Sequence, residues 1–296
     1  EHEHAMHRII HGTLYARHPQ PCGHTVRIHD LGHGHVEVTG SPRFIWEEVA
    51  PLSPLALADF EAARQSSLAG GELPVPEREL RDRANRERAT RRARTCVRRL
   101  AKSKGLTVLL TLTYRENMTD RDRMQRDFDV FMKRLRRVAP AAQYVCVFER
   151  QKRGAWHAHI AVPRVLSHYV YKGQLVRSYD LLRSLWRGVV GPDNGNIDVS
   201  RNKRVNRSSA KLASYLSKYI GKTFDQAEKH VNSYSASGRA LPAPTMFQTV
   251  GTGSAVFELV LELLGPEVAA SELYTALLDG GGVYCCLSPP ERSKRP

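Results

Sequence analysis

The stretch AWHAHIAV, residues 155–162, has the alternation of side chains that is typical of a β-strand. Every second residue of a strand points to the same face of the sheet. One face of this strand carries apolar side chains: Trp156, Ala158, Ile160 and Val162. The opposite face carries His157 and His159, with alanines beside them. We therefore expect the apolar face to line the core and the two imidazoles to lie on the other side of the sheet.

A second strand is predicted over 143–149, and the five residues that follow it suit a hairpin loop. If Glu149 pairs with Ala155, the glutamate falls on the histidine face and diagonal to His157, with about 7–8 Å between their β-carbons. A register shift of one residue would turn Glu149 to the other face. Two imidazoles and one carboxylate leave positions open on a metal ion, as a catalytic metal requires. His157, His159 and Glu149 are thus candidate metal ligands, and the alternative is a pair of exposed strand histidines.

The segments around this hairpin predict an α+β protein. Its core is expected to be a ferredoxin-like (split βαβ) antiparallel sheet with helices on one face, plus flanking segments of less regular structure. A buried strand is predicted over 106–114. Thr119 is the predicted cap of a helix that runs to residue 138. The later elements are a helix over 179–188, a strand over 196–200 and a helix over 208–220 that Gly221 closes.

The chain is strongly basic, with a formal net charge of +15 over 296 residues. A charge of this sign favours polyanions such as nucleic acids as partners. Residues 77–104 contribute much of it, because they hold twelve basic and four acidic side chains among good helix formers. We expect a helix there that contacts phosphates, and the alternative is a solvated helix laced with ion pairs.

Nothing in the sequence indicates a membrane partner. No run of about 18 apolar residues could span a bilayer. The chain also begins without the pattern of a secretory signal peptide. The five cysteines are scattered and form no CxxC pair, which argues against a zinc ribbon and favours reduced thiols in the cytoplasm.

The segment YLSKY, residues 215–219, is a second feature that suggests chemistry. In a helix, Tyr215 and Tyr219 share one face, and Lys218 lies three residues from Tyr215. A neutral phenol is a weak nucleophile, and a nearby positive charge favours the phenolate. The alternative is an ordinary core face, because apolar residues at 212, 216 and 220 continue the same stripe.

Together these segments resemble the HUH endonucleases, and among them the rolling-circle replication initiators (Rep proteins) of bacterial plasmids and single-stranded DNA phages. Residues 110–114, LTLTY, look like the first strand motif of that family. The run from Glu149 to His157-Ala158-His159 looks like its metal motif, and YLSKY looks like the two-tyrosine form of its nucleophile motif. Conjugative relaxases usually carry the tyrosine ahead of the histidines, whereas Tyr215 follows them here, which favours an initiator.

The resemblance implies a reaction and a set of roles. His157, His159 and Glu149 would bind Mn²⁺ or Mg²⁺, with zinc as a third possibility. Tyr215 would attack single-stranded DNA at a replication origin, leaving a 5′-phosphotyrosine link and a free 3′-hydroxyl. Tyr219 would be a second nucleophile that rejoins the displaced strand, and Lys218 would polarise the phosphate or stabilise the phenolate. A host polymerase and a host helicase are the implied partners, in the cytoplasm of a bacterial host cell. The helicase is needed because the chain has no phosphate-binding loop of its own.

The sequence predicts four regions. They are a His- and Pro-rich N-terminal region of unknown role (1–76), a basic helical segment (77–105), an HUH endonuclease domain (106–224) and a C-terminal region that is partly helical with a disordered end (225–296). In the last region, helical patterns cover 255–264 and 269–278.

Some assignments have competing interpretations. Trp156, Tyr169 and Tyr171 are candidate base-stacking residues, although the apolar strand face favours a core position for Trp156. Two other functions stay open for the whole chain. One is a zinc-dependent hydrolase that uses the same three ligands, and the other is a basic nucleic-acid-binding protein that performs no chemistry.

Overall fold

The computed structural model describes residues 6–68, 75–200, 208–224, 234–269 and 271–290. The chain divides into two compact units. The flanking unit comprises Glu1–Asp30, Val36–Arg83 and Ala243–Leu287. The central unit comprises Leu31–His35, Ala84–Pro242 and Ser288–Pro296. In the described parts of the chain, no helix is both long and apolar enough to cross a membrane.

The described elements follow one another along the chain as strands and helices. The strands are β1 (His7–Ile10), β2 (Thr13–Asp30), β3 (Val36–Pro51), β4 (Val108–Tyr114), β5 (Val145–Arg150), β6 (Trp156–Val162), β7 (His168–Tyr171), β8 (Gln174–Arg177), β9 (Gly195–Ser200), β10 (Tyr234–Ala236), β11 (Thr245–Val250), β12 (Glu272–Leu278) and β13 (Gly282–Ser288). The helices are α1 (Pro54–Leu68), α2 (Val75–Ser103), α3 (Arg121–Val138), α4 (Ser178–Val190), α5 (Ser209–Phe224) and α6 (Ser254–Ala269).

The central unit is built on an antiparallel sheet with strand order β10-β5-β6-β4-β9. Leaving out β10, the chain order of this sheet and its helices is β4-α3-β5-β6-α4-β9, and the first strand lies between the third and the fourth. This is the split βαβ arrangement of ferredoxin-like folds. The predicted α+β class is confirmed. A two-stranded hairpin of β7 and β8, which the sequence analysis did not predict, precedes α4.

Helices cover both faces of this sheet. On the first face, α3 and α4 pack against the apolar side of β6, and Phe128, Phe131 and Trp186 are fully buried there. On the second face, residues from the end of α2, including Val97 and Leu100, form a cluster with the apolar residues of α5. The prediction of helices on one face therefore holds for α3 and α4 only. The second face matters for function because it carries the two histidines.

Phe128 is the residue of α3 whose loss should weaken the central unit most. Its ring is fully buried and makes edge-to-face contacts with Tyr144 and Phe148. Phe128→Ala should lower the free energy of unfolding by about 3–5 kcal/mol. Val130 on the same helix is 38% exposed, so Val130→Ala should change it by no more than about 0.5 kcal/mol. Urea denaturation measures both values, and equal losses would contradict this packing.

Two predicted helix ends are wrong. The N-cap of α3 is Asp120 and not Thr119, because the Asp120 carboxylate accepts a hydrogen bond from the Arg123 amide at 2.9 Å. Helix α5 does not end before Gly221 but continues to Phe224. Both errors concern ends and leave the faces of the helices as predicted.

The flanking unit has a six-stranded sheet in place of the less regular structure expected from the sequence. Its order is β1-β2-β3-β13-β12, and β11 pairs with β2. Gly23 permits that pairing, because a β-carbon there would lie 2.0 Å from the Thr249 carbonyl oxygen. Helix α6 covers the sheet with Val256 and Val260 and confirms the helix predicted over 255–264. The helix predicted over 269–278 is wrong, since β12 occupies most of that segment. Residues 291–296, for which a disordered end was predicted, lie outside the described residues.

Candidate active site

The pairing of β5 with β6 places Glu149 directly opposite His157. The predicted pairing of Glu149 with Ala155 is wrong by two residues, because the turn starts one residue later and Arg150 pairs with Trp156. A shift of two residues keeps every side chain on its face. Glu149 therefore shares the second face of the sheet with both histidines, as the alternation pattern predicts.

His159 is held by hydrogen bonds at both ring nitrogens. Its Nε2 lies 2.9 Å from Glu149 Oε2, and its Nδ1 lies 3.3 Å from Thr111 Oγ1. Thr111 is the residue of β4 directly opposite His159. The imidazole is 6% exposed, so these contacts are largely shielded from water. One carboxylate and one hydroxyl thus fix the orientation of the ring.

His157 has one paired and one unpaired ring nitrogen. Nδ1 lies 3.2 Å from the Gln151 side-chain amide, whereas the buried Nε2 has no hydrogen-bond partner among the described residues. Burial lowers the pKa of His157 to about 4, and the neighbouring His159 and Arg153 lower it further while Glu149 opposes them. His157 is therefore neutral at pH 7. A neutral imidazole with an unused nitrogen is the form that binds a metal ion.

Helix α5 brings both tyrosines to these histidines. The ring of Tyr219 stacks on His159 with 4.3 Å between ring centroids and an angle of 15° between the planes. The Tyr219 hydroxyl donates a hydrogen bond to the Tyr215 hydroxyl, and the two rings meet edge to face at 5.0 Å. Burial and this hydrogen bond raise the pKa of Tyr219 well above its ordinary value. Tyr219 thus stays protonated and places a proton on the Tyr215 oxygen.

The apolar stripe of α5 separates into two kinds of residue. Leu212, Leu216 and Ile220 are fully buried, whereas Tyr215 and Tyr219 are half-buried. The helix packs through its aliphatic residues, and the tyrosines lie at the margin of that packing. Lys218 is exposed and makes no hydrogen bond or ion pair with any residue that the structure describes. Its ammonium group is therefore free to meet an anion.

The residues present are compatible with a divalent metal ion, although they do not form a complete cage. In the described ranges, no group of three or more His, Cys, Asp or Glu side chains has the spacing of a metal site. Two observations nevertheless fit such an ion: the unpaired Nε2 of His157, and the 2.9 Å contact between His159 Nε2 and Glu149 Oε2. A shared proton can occupy the place of a cation between a nitrogen and a carboxylate oxygen, since metal ions and protons compete for the same lone pairs.

Sequence reasoning missed two residues and placed three others only in part. Thr111 and Gln151 each contact one imidazole, and only the polar position of Thr111 within an apolar strand could have signalled it. The core position of Trp156 is confirmed, because its ring is 8% exposed and its Nε1 donates to the Thr119 carbonyl oxygen at 3.1 Å. Tyr169 and Tyr171 are half-buried against the core of the first face, whereas the histidines lie on the second.

The strand, metal and tyrosine motifs all fall within one region of similarity to known proteins. Residues 107–224 match the family model of the replication-associated proteins of the ORF2 type. The match begins just before β4, ends with α5 and covers less than half of the chain. No curated protein and no solved structure matches the chain. The similarity to replication-associated proteins supports a replication initiator of the Rep type, and with it DNA as the partner.

Proposed function

We propose that the central unit is an HUH-type endonuclease that nicks single-stranded DNA at a replication origin and later rejoins the displaced strand. The observation that carries the proposal is the contact chain from Glu149 through His159 and Tyr219 to Tyr215. A carboxylate, an imidazole and two phenols from three separate elements lie within direct contact of one another. The similarity of residues 107–224 to replication-associated proteins supplies the biological setting, which is the initiation of replication.

The proposed reaction is a transfer of one phosphodiester bond. The Tyr215 oxygen loses its proton and attacks the phosphorus atom, and the bond between phosphorus and the 3′-oxygen breaks. The 3′-oxygen takes up a proton and leaves as a hydroxyl, while the 5′-phosphate stays on Tyr215. Because the number of phosphoester bonds is unchanged, the strand can be rejoined without ATP. A host polymerase would extend the 3′-hydroxyl, and a host helicase would unwind the duplex.

The two tyrosines differ in a way that assigns their order. Tyr219 donates its proton to the Tyr215 oxygen, and a hydrogen bond to a phenolate stabilises that phenolate. Tyr215 is therefore the first nucleophile, and Tyr219 becomes available for a second attack after the first has occurred. Lys218 lies three residues after Tyr215 and offers its charge to the scissile phosphate.

His157, His159 and Glu149 are the residues that would hold Mn²⁺ or Mg²⁺, with zinc as a third candidate. When bound, such an ion neutralises the non-bridging phosphate oxygens and so favours attack by an anion. The chain's own contribution is to hold the imidazoles in place through Thr111 and Gln151. Mixed nitrogen and oxygen ligands favour Mn²⁺ over Mg²⁺.

Arginines of α2 would hold the DNA backbone. Within the central unit, the exposed arginines of this helix are Arg86, Arg88, Arg91, Arg92 and Arg94. The acidic residue in the same stretch is Glu87. This excess of positive charge binds phosphates without regard to base sequence.

Covalent capture tests the proposal directly. Wild-type protein is incubated with Mn²⁺ and a pool of labelled single-stranded oligonucleotides, and protein-bound label is followed on denaturing gels. We expect a denaturant-resistant adduct and, by mass spectrometry, a nucleotide-modified peptide that contains Tyr215. The same sequences as blunt duplexes should give at least about tenfold less adduct, because pairing and stacking hold the phosphate in the wrong setting. DNA binding with no adduct on any oligonucleotide would leave only a binding protein and would end the proposal.

A further inference from the structure

A turn far from the tyrosines in sequence contributes to the central unit. Residues 31–35 connect β2 to β3, yet they belong to the central unit. The turn is closed by two backbone hydrogen bonds of 2.9 Å between Leu31 and His35 and between His35 and Gly32. Gly32, His33 and Gly34 all have positive φ, at 71°, 53° and 75°. Such a run is uncommon and is costly for a non-glycine residue, so the turn has a defined shape.

This turn presents a buried histidine to two hydroxyl groups of the same unit. His35 is 1% exposed, its Nε2 lies 2.6 Å from Ser209 Oγ, and its Nδ1 lies 3.2 Å from Ser288 Oγ. A neutral imidazole has one donor and one acceptor, and a hydroxyl can serve as either. Both ring nitrogens of His35 are therefore satisfied, and the histidine bridges two serines that are far apart in sequence.

Ser209 is the first residue of the helix that carries the tyrosines. The residue before it, Ser208, caps the helix, because its hydroxyl accepts from the Lys211 amide at 3.2 Å. Tyr215 follows Ser209 by six residues, or about 9 Å along the helix axis. The aliphatic residues of α5 hold the helix on the sheet, but apolar contacts are not directional. Hydrogen bonds at the start of α5 restrict its rotation and the fraying of its first turn.

We propose that His35 is a positioning residue that fixes the start of α5 and thereby the placement of Tyr215 beside the histidines. The inference rests on the proposed function for the role of Tyr215, but the contact between His35 and Ser209 does not. A displacement of about 1 Å at a reacting group can cost about a hundredfold in rate. A loosened first turn should therefore lower the rate of attack without weakening the binding of DNA.

A pair of substitutions separates the two contacts of His35. The carboxamide of glutamine reaches about as far as Nε2, and that of asparagine about as far as Nδ1. His35→Gln should keep the contact with Ser209 and form adduct within about twofold of the wild-type rate. His35→Asn should keep only the contact with Ser288 and lose about tenfold in the rate at saturating DNA, with an unchanged half-saturating concentration. A merely structural role would give both variants the same rate and the same melting temperature.

Smaller substitutions guard against variants that do not fold. Ser209→Ala should reproduce the loss seen with His35→Asn, and the double variant should be no worse than either single one. Ser288→Ala is the matched control, because it removes a serine on the other nitrogen, and it should stay within about twofold of wild type. A wild-type rate for Ser209→Ala would overturn the proposal.

Hydrogen exchange keeps this inference separable from the proposed function. The amides of Lys211 and Leu212 bond to the Ser208 hydroxyl and carbonyl, so their exchange reports on the first turn of α5. In Ser209→Ala and His35→Asn they should exchange about tenfold faster, and in His35→Gln at the wild-type rate. If wild type forms no adduct, the proposed function fails while exchange still decides the role of His35. Unchanged exchange in Ser209→Ala would show that the bridge does not hold the helix.

Discussion

Tyr215→Phe should form covalent adduct at least about a thousandfold more slowly than wild type, while it binds single-stranded DNA as tightly. The substitution removes one oxygen atom, which is the atom proposed to attack phosphorus. Tyr215 is half-buried and the core contacts of α5 come from Leu212 and Leu216, so the fold should be retained. Adduct is measured with labelled oligonucleotide on denaturing gels, and binding by fluorescence anisotropy under the same conditions.

Tyr219→Phe is the matched control, since it deletes the same atom from the neighbouring ring. It removes the hydrogen bond to Tyr215 but keeps the ring that stacks on His159. The first adduct should form about fivefold to tenfold more slowly, as expected for one hydrogen bond. Rejoining of the displaced strand should be lost. The reverse result, with full adduct on Tyr215→Phe and none on Tyr219→Phe, would assign the first attack to Tyr219 and contradict the proposed order.

The histidine strand could be predicted because its information is local. Seven alternating residues specify which side chains share a face, and no distant contact is needed to infer it. The partner strand was placed on the correct face for the same reason. Its register was wrong by two residues because Arg150 extends β5 and the turn moves to Gln151–Ala155, where the Gln151 amide donates to the Ala155 carbonyl oxygen. Loop geometry, which decides such a shift, leaves little trace in the sequence.

The flanking sheet could not be predicted because its strands are defined by partners that are far away in the chain. Residues 269–278 contain good helix formers, yet β12 is a strand at the edge of the flanking sheet, beside β13. Tertiary pairing overrides local propensity there. Strands β2 and β3 have prolines, glycines and register shifts that obscure the alternation of side chains. Their pairing with β11 and β13 is visible only in three dimensions.

The site was predicted in its residue types but not in its supporting contacts. The histidines, the glutamate and the tyrosines belong to motifs with fixed spacing. Thr111 contacts His159 across 48 residues, and His35 contacts Ser209 across 174 residues. A hydroxyl or a buried histidine at such distances has no periodicity that marks it. The residues that would do chemistry were therefore easier to infer than the residues that hold them in place.

His157→Ala should lose both the metal ion and the reaction. The variant removes the unpaired Nε2, one of the three candidate donor atoms, without deleting the contact between His159 and Glu149. We expect Mn²⁺ affinity to fall by more than about a hundredfold, because loss of a supporting contact alone costs tenfold to a hundredfold. Adduct formation should fall to the level of wild-type protein in EDTA. Isothermal titration with Mn²⁺ measures the affinity independently of catalysis.

Two further variants show whether the loss belongs to the site. His168→Ala removes an exposed histidine of β7 and should bind Mn²⁺ as wild type does. Thr111→Val keeps the shape of the side chain but removes the hydroxyl beside His159 Nδ1, and it should weaken Mn²⁺ binding about tenfold. This graded series follows from the geometry, because a ligand matters more than the group that orients it. Adduct formation that persists in EDTA, or Mn²⁺ binding by His157→Ala at wild-type affinity, would exclude these residues as a metal centre and leave Tyr215 to act without one.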